Sequence, residues 1–536
     1  MAKKDRSNVE DSKPLDDFDS ILYEIGNLGR WQLIAFFFAA SGSFAQAFHN
    51  IVMPFLGATP EHWCRVPELE LLPEHMQKNF SIPLEENNGD VTYSQCTMFV
   101  ARDYSQLAAL YRNGSLETVP ASFFSNVEQA KCQHGWLYDA SFRSSTLVTE
   151  WDLVCGKQAL AASAQSVYML GMIAGCYGFG TLADMKGRKW TVLLSSLIFA
   201  LSATAASFSP NLITFFILRL IIGAASAGTC NAAYIYGIES VGPLYRNRVG
   251  VGASLAYSTG HVLVALCAWV FRDWRYLEFS ISIWLFAMLI WYFIIPESPR
   301  WLYAQGRMDE CEHALRRVAK RNRKAYPDHI DLKQHLKSYR VTTTDGKSRE
   351  ANITDLVRTP NMRKISFIMW MQWFTVALVY YGLALNSANL GTNPYMSFVI
   401  MALVGYPANY PCTALILKHL GRRLSLSLTA LIGGASCLFI ALPWPTHLNW
   451  VIVTLATIGM FGANGMFTVN MLYTGELYPT VVRNIGFGTG FTWARFAGLL
   501  APYVVLLGKY SRELPLIISV VLAIAAAIMA LFLPEP

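Results

Sequence analysis

The sequence predicts an all-α membrane protein of twelve transmembrane helices, arranged as two six-helix pseudo-repeats. Three observations predict it. The 536 residues are 53% hydrophobic and only 15% charged, with a mean hydropathy of +0.32, whereas soluble domains carry about 25% charge. Apolar runs long enough to cross about 30 Å of hydrocarbon, roughly 20 residues each, recur twelve times. Three short motifs also return at a nearly constant spacing, as they do when one half of a chain repeats the other.

Taken in order, residues 1–30 are polar and mixed in charge. They lack a short apolar core followed by a small-residue cleavage site, so they are expected to be a cytoplasmic tail rather than a removable signal. An N-terminal half, 31–295, holds runs near 31–57, 158–181, 190–208, 211–237, 249–270 and 276–295. A cytoplasmic linker, 296–364, follows, and the spacing in Cys311-Glu-His-Ala-Leu-Arg-Arg-Val-Ala suits short amphipathic helices. The C-terminal half, 365–536, holds runs near 365–385, 395–417, 424–442, 449–473, 486–508 and 513–533. Of 43 Lys and Arg, 30 fall in segments that would then be inside, against four in the short outer loops. Basic flanks stay cytoplasmic, so both termini are expected inside a multi-pass protein whose surroundings are the lipid bilayer. The net charge of +7 reflects these inner loops, and no nucleic-acid-binding motif accompanies it.

The long outer segment, 58–157, contains Cys64, Cys96, Cys132 and Cys155. Four cysteines in an oxidising compartment read as two disulfides, with three connectivities open. The sequons at Asn79 and Asn113 lie in the same loop, where glycosylation is expected, while that at Asn352 falls inside and should stay bare.

The repeat is the most informative feature. Glu239 and Arg246 recur as Glu476 and Arg483, seven apart both times, at an offset of 237. Gly187-Arg188-Lys189 recurs as Gly421-Arg422-Arg423 at 234, and Ile295-Pro296-Glu297 as Leu533-Pro534-Glu535 at 238. This is the parallel-repeat plan of major facilitator transporters, whose substrate site lies near the midplane between halves. Asp184, Arg188, Glu239, Arg246, Arg422, Glu476 and Arg483 would gather on the inner face as a latch of Arg–carboxylate pairs that break on opening. The second half has no aspartate where Asp184 would repeat.

Inside the spans, Arg495 interrupts an uncharged run from Asn484 to Leu507, and from Ile365 onward the acids are Glu476, Glu513 and Glu535, all at helix ends. A mid-span arginine costs about 2.5–3.5 kcal/mol on insertion scales and normally faces a cavity. Gly488, Thr492, Gly498 and Pro502 share its face and leave room beside it. Arg495 is thus expected to receive a carboxylate in a bidentate pair. No Cys-x-x-Cys, His-Glu-x-x-His or phosphate loop occurs, so neither an enzyme, a metal site nor a cofactor is expected.

The DxxGRK loop at Asp184–Lys189, Arg219-Leu-Ile-Ile-Gly223, Pro296-Glu-Ser-Pro-Arg-Trp-Leu302, Gly475-Glu-Leu-Tyr-Pro-Thr-Val-Val-Arg-Asn484 and the entry Ala58-Thr-Pro-Glu-His-Trp-Cys-Arg-Val-Pro67 together resemble the organic cation, carnitine and organic anion transporter family. The resemblance covers essentially the whole chain. It implies transport of small organic ions across the plasma membrane by alternating access, coupled to an ion or an exchanged solute. Cation members carry an acid in the eighth helix, where this chain reads Ala402-Leu-Val-Gly405-Tyr-Pro, and an aspartate at the position of Arg495. Anion members carry a lysine near the position of Asn409 and share the arginine, as do carnitine-type members. The resemblance places Trp373 and Tyr380, seven apart on one helical face, on the cavity wall with Phe374 and Tyr381 beside them; Tyr257, His261 and Tyr473 are further candidates, and His49 reads as a polar cavity or packing residue. A Trp/Tyr surface holds an ammonium by cation–π attraction. The expected substrate is an amine-bearing zwitterion or a cationic amine conjugate. The alternatives are an organic anion exchanger and, in another class, a receptor that keeps the fold without transporting.

Overall fold

The computed structural model describes residues 17–26, 29–87, 90–100, 104–105, 108–109, 128–141, 143–326, 352–387, 393–409, 413–442, 448–479, 481–511 and 513–535. Twelve crossings are present. The first six are α1 Arg30–Asn50, α2 Gln158–Lys186, α3 Arg188–Ala206, α4 Leu212–Glu239, α5 Arg246–Val270 and α6 Trp274–Ile294. The second six are α7 Pro360–Asn386, α8 Pro394–Pro407, α9 Thr413–Ala441, α10 Asn449–Leu477, α11 Arg483–Leu506 and α12 Leu514–Ala530. Among the described residues nine helices are long and apolar enough to span by composition alone. Helix α1 is not one of them, because Gln32, Ser43, Gln46, His49 and Asn50 interrupt its apolar residues; all five are buried against neighbouring helices rather than lipid.

Two crossings depart from straight helices. The middle of α6, Trp284–Ile290, tightens to a 3₁₀ turn. Helix α8 is interrupted at Val404, one turn before Pro407, whose ring nitrogen cannot donate to the preceding turn. Its crossing is completed by the first residues of α9, before a kink at Gly421.

That kink belongs to the repeat. Gly187 and Gly421 both take positive φ, 103° and 72°, a conformation that costs a side chain energy and glycine nothing. Each starts a helical segment whose first amides are capped by a distant carboxylate. Glu297 Oε1 accepts from Arg188 N at 2.9 Å and Lys189 N at 3.0 Å; Glu535 accepts from Arg422 N at 2.6 Å and Arg423 N at 3.1 Å. An anion at a helix start meets unpaired N–H groups and the positive end of the dipole. Tyr236 and Tyr473 then donate to the carbonyls of Pro296 and Pro534. All three recurring motifs therefore meet in one cluster per half, at the end of the bundle that also carries the linker.

A second compact unit, Phe55–Ser163 with Phe271–Leu277, adds strands to the all-α expectation. It holds three two-stranded antiparallel sheets: His62–Cys64 with Trp136–Tyr138, Leu84–Asn87 with Asp90–Tyr93, and Thr97–Phe99 with Gln129–Lys131. Disulfides Cys64–Cys132 and Cys96–Cys155 close it, selecting one of the three connectivities. Trp63, Val66, Leu69, Leu72, Ile82 and Met98 form its apolar centre. Asn79 is exposed on a short helix, Glu74–Ser81, whereas Asn113 lies outside the described residues.

Candidate functional site

The halves meet through polar contacts concentrated toward the loop end of the bundle. Asn50, the last residue of α1, donates to the hydroxyl of Tyr257 and, at 3.1 Å, to that of Tyr381 on α7. Thr259 and Tyr406 share a hydrogen bond at 2.8 Å, and Ser166 donates to the Leu499 carbonyl at 2.7 Å. Tyr177 and Thr492, at 3.1 Å, make a contact nearer the linker end. At Gly178 and Gly180 of α2 and at Gly488 of α11 an added Cβ would meet no atom within 4 Å. The described hydrogen bonds between the halves are therefore gathered mainly toward the loop end.

Arg495 lies on α11, about two turns from Gly488. Its Nε is buried with no hydrogen-bond partner among the described residues, and Tyr168, Tyr257, Tyr381 and Cys176 stand within electrostatic reach. The acids of the C-terminal half are engaged or distant: Glu476 pairs with Arg422, Glu535 caps the segment after Gly421, and Glu513 precedes α12. One step along the helix, a Cβ at Gly498 would come within 3.0 Å of the Tyr381 ring and 3.1 Å of Met169 Sδ. Glycine there lets α11 approach both halves.

The structure brings Arg495, Tyr257, Tyr380 and Tyr381 to one interface. Tyr380 lies 3.4 Å from His261 Nδ1, and the two line a small crevice with Ile51, Ala384, Phe398 and Met401. Other candidates sit elsewhere. Trp373 is fully buried inside the C-terminal half, donating to Thr474 and packed on Phe467 and Phe491. It shares a face with Tyr380, but at its depth that face meets α10 and α11. Phe374 packs against Trp493. Asn409 is nearly buried and accepts from Thr468 at 3.4 Å. Tyr473 belongs to the repeat cluster described above, far along α10 from Arg495. Asn50 was not singled out from sequence; a polar residue ending a buried span was its signal.

The inner-face charges pair differently from the expectation of Glu and Arg seven apart. Glu239 takes Arg188, at 3.0 Å, and Arg188 also holds Asp184 at 2.9 Å. Arg246 instead donates to Asp19, which Arg300 shares. Glu476 takes Arg422 at 2.9 Å, and Arg483 reaches the Tyr478 carbonyl. Seven residues along a helix and its following turn put Glu and Arg on separate elements, while Arg188 and Arg422 emerge from the neighbouring turn directly beside the glutamates. The Arg188–Glu239 and Arg422–Glu476 pairs each lie within one half, and Asp19 ties the tail to Arg246 and to Arg300 of the linker.

Comparison with known proteins agrees with this architecture. The family model for sugar and other transporters matches residues 115–536. The chain is 34% identical over 521 residues to organic cation/carnitine transporter 2 of Rattus norvegicus, covering 97% of this chain and 91% of that protein. It is 33% identical, with the same coverage, to solute carrier family 22 member 21 of Mus musculus. In fold it is similar to the inward-open xylose transporter XylE from E. coli, with a TM-score of 0.61 at 14% identity, covering 94% of this chain and 97% of that one. The twelve crossings, the duplicated cluster and these relatives together place the chain in the organic cation and carnitine transporter family, solute carrier family 22, of the major facilitator superfamily.

Proposed function

We propose that this protein carries small organic ions across the plasma membrane by alternating access, with its linker end and both termini in the cytoplasm, and that its substrates are amine-bearing zwitterions or cationic amine conjugates. The observation that carries the substrate class is Arg495, a guanidinium at mid-span with a buried, unpaired Nε among tyrosines. A fixed positive charge selects a carboxylate, which two parallel N–H···O bonds would hold in one orientation. Tyr257, Tyr380 and Tyr381 then offer aromatic faces and hydroxyls to an ammonium on the same molecule. The relatives include proteins named for organic cations and for carnitine, and carnitine joins a carboxylate to a quaternary ammonium. On this reading the hydrogen bonds gathered toward the loop end belong to the inward-facing state. The asparagine at 409, where an anion exchanger would add a second cation, favours the zwitterion over that alternative.

The test exchanges the charge geometry at one atom group. Arg495→Lys keeps the charge and loses the fork, so the half-saturation for carnitine in radiolabelled uptake should rise by about tenfold. Arg495→Asp should lose carnitine and gain tetraethylammonium. If both variants take up carnitine with unchanged half-saturation and rate, Arg495 does not read the substrate.

A further inference from the structure

The junction of α1, α3, α4 and α6 in the N-terminal half buries three ionisable side chains that substrate recognition leaves unused. His49, Arg219 and Glu278 are each fully buried. His49 Nδ1 lies 3.3 Å from Glu278 Oε1. That contact is their one polar engagement: among the described residues His49 Nε2, Glu278 Oε2 and all three Arg219 nitrogens have no hydrogen-bond partner. Arg219 rests on the rings of Phe215, at 5.5 Å, and Tyr168, at 5.7 Å, and acts electrostatically on Glu278. A structure rarely buries so many unmet donors and acceptors without a use for them, since each forfeits its full hydration.

The groups facing the pair can be named element by element. Helix α4 contributes Arg219 and α2 contributes Tyr168, on which Arg495 of α11 also acts. Helix α3 lays Phe199 against the imidazole at 5.1 Å. Gln46, one turn earlier on α1, adds an unpaired amide. Ser282 on α6 is taken up by the Glu278 carbonyl of its own helix. One carboxylate between an imidazole and a guanidinium is a poor nest for a metal cation, which needs several oxygens. It is suited to a proton.

We propose that His49 and Glu278 together hold one exchangeable proton, and that Asn50 passes its gain or loss to the contact between the halves. Charge sets the sense. With a neutral imidazole, Arg219 and Glu278 cancel. With a protonated one, the junction carries a net positive charge in a dry core, and admitting water at the loop end of α1 relieves it. That end is where Asn50 bonds Tyr257 and Tyr381 and where its carbonyl accepts from Gln165 at 3.0 Å. Protonation thus loosens the loop-end closure, and the closed arrangement described here is the deprotonated form. The step forms one N–H bond on the imidazole with a proton taken from, and returned to, water.

The experiment uses the full chain reconstituted in vesicles. Infrared difference spectra between roughly pH 5 and pH 8 should show coupled imidazole and carboxyl signals that His49→Gln and Glu278→Gln each remove, while Glu278→Asp shifts the carboxyl band. A wild type with no titrating signal in that window, or signals that survive both removals, overturns the proposal. In the same vesicles, carnitine uptake should change about threefold across that range in wild type and stay flat in the two glutamine variants; a pH response undiminished in both overturns the link to the gate. The uptake arm rests on the transport reading and the spectroscopic arm does not, so vesicles that carry no carnitine would count against that reading while the spectra still decide the proton site.

Discussion

A guanidinium at mid-span and a carboxamide at the end of a helix illustrate how single residues set this interface. Among the described residues Arg495 Nε has no partner and tyrosines rather than an acid act on the guanidinium, and Asn50 has two tyrosines to satisfy it. The first arrangement leaves a vacancy of charge, and the second a joint that must break in each cycle. A neutral hydrogen bond contributes about 0.5–1.5 kcal/mol, so Tyr381→Phe should shift the balance between closed and open loop ends by up to about tenfold. Thiol labelling of a cysteine introduced at Ser166 from the loop side should accelerate accordingly, with the fold intact; unchanged labelling would show that Tyr381 is no part of the joint. Gly498→Leu should act more strongly, because its side chain would enter the space of Tyr381 and Met169. Uptake should fall while the same labelling rises.

At the scale of elements, the duplicated cluster ties a glycine turn, a helix start and the glutamate that follows the last helix together in each half. The two copies are not equally shielded. Arg188 and Glu239 are 11% and 14% exposed, Arg422 and Glu476 42% and 36%. Exposed pairs contribute about 0.2–1 kcal/mol, whereas removing one partner of a desolvated pair costs several times more. Glu239→Gln should therefore lower the thermal midpoint of the purified protein clearly, and Glu476→Gln barely. Equal losses would mean that burial does not govern these pairs. In transport, Glu476→Arg should impair uptake at normal surface density, and adding Arg422→Glu should restore part of it.

At the scale of the whole molecule, the loop unit is stapled by two disulfides and an ionic clasp. Removing a native disulfide from a small secreted domain costs about 2–5 kcal/mol, so Cys64→Ser or Cys96→Ser should destabilise this unit and lower the amount of folded protein delivered to the membrane. In the clasp, burial raises the Glu150 carboxyl, but hydrogen bonds from Arg275 and Trp274 and the Arg275 charge outweigh it, leaving the group below its ordinary value. A lowered acid stabilises above the unfolded carboxylate pKa, about 4.3, and that contribution is lost as pH falls through the lower folded value. Arg275→Gln should move acid unfolding of this unit, followed by Trp fluorescence, to higher pH; an unmoved transition would show the clasp to be idle.

The family followed from the resemblance of short motifs such as Asp184–Lys189 and Pro296–Leu302. Composition, span length and the offset between Glu239 and Glu476 were enough to reach the membrane, the twelve crossings and the duplication, because hydrocarbon thickness and repeat geometry act through sequence-local patterns. Arg495 was legible for the same reason, as a charge that its own helix cannot compensate. What only the tertiary structure decided is pairing. Glu239 chose Arg188 over Arg246, the four loop cysteines took one of three connectivities, Trp373 turned into its own half while Tyr380 reached the other, and Glu278 came to lie against His49. Each of these depends on which helices become neighbours and how far apart the halves stand at a given depth, and no periodicity within one segment carries that distance.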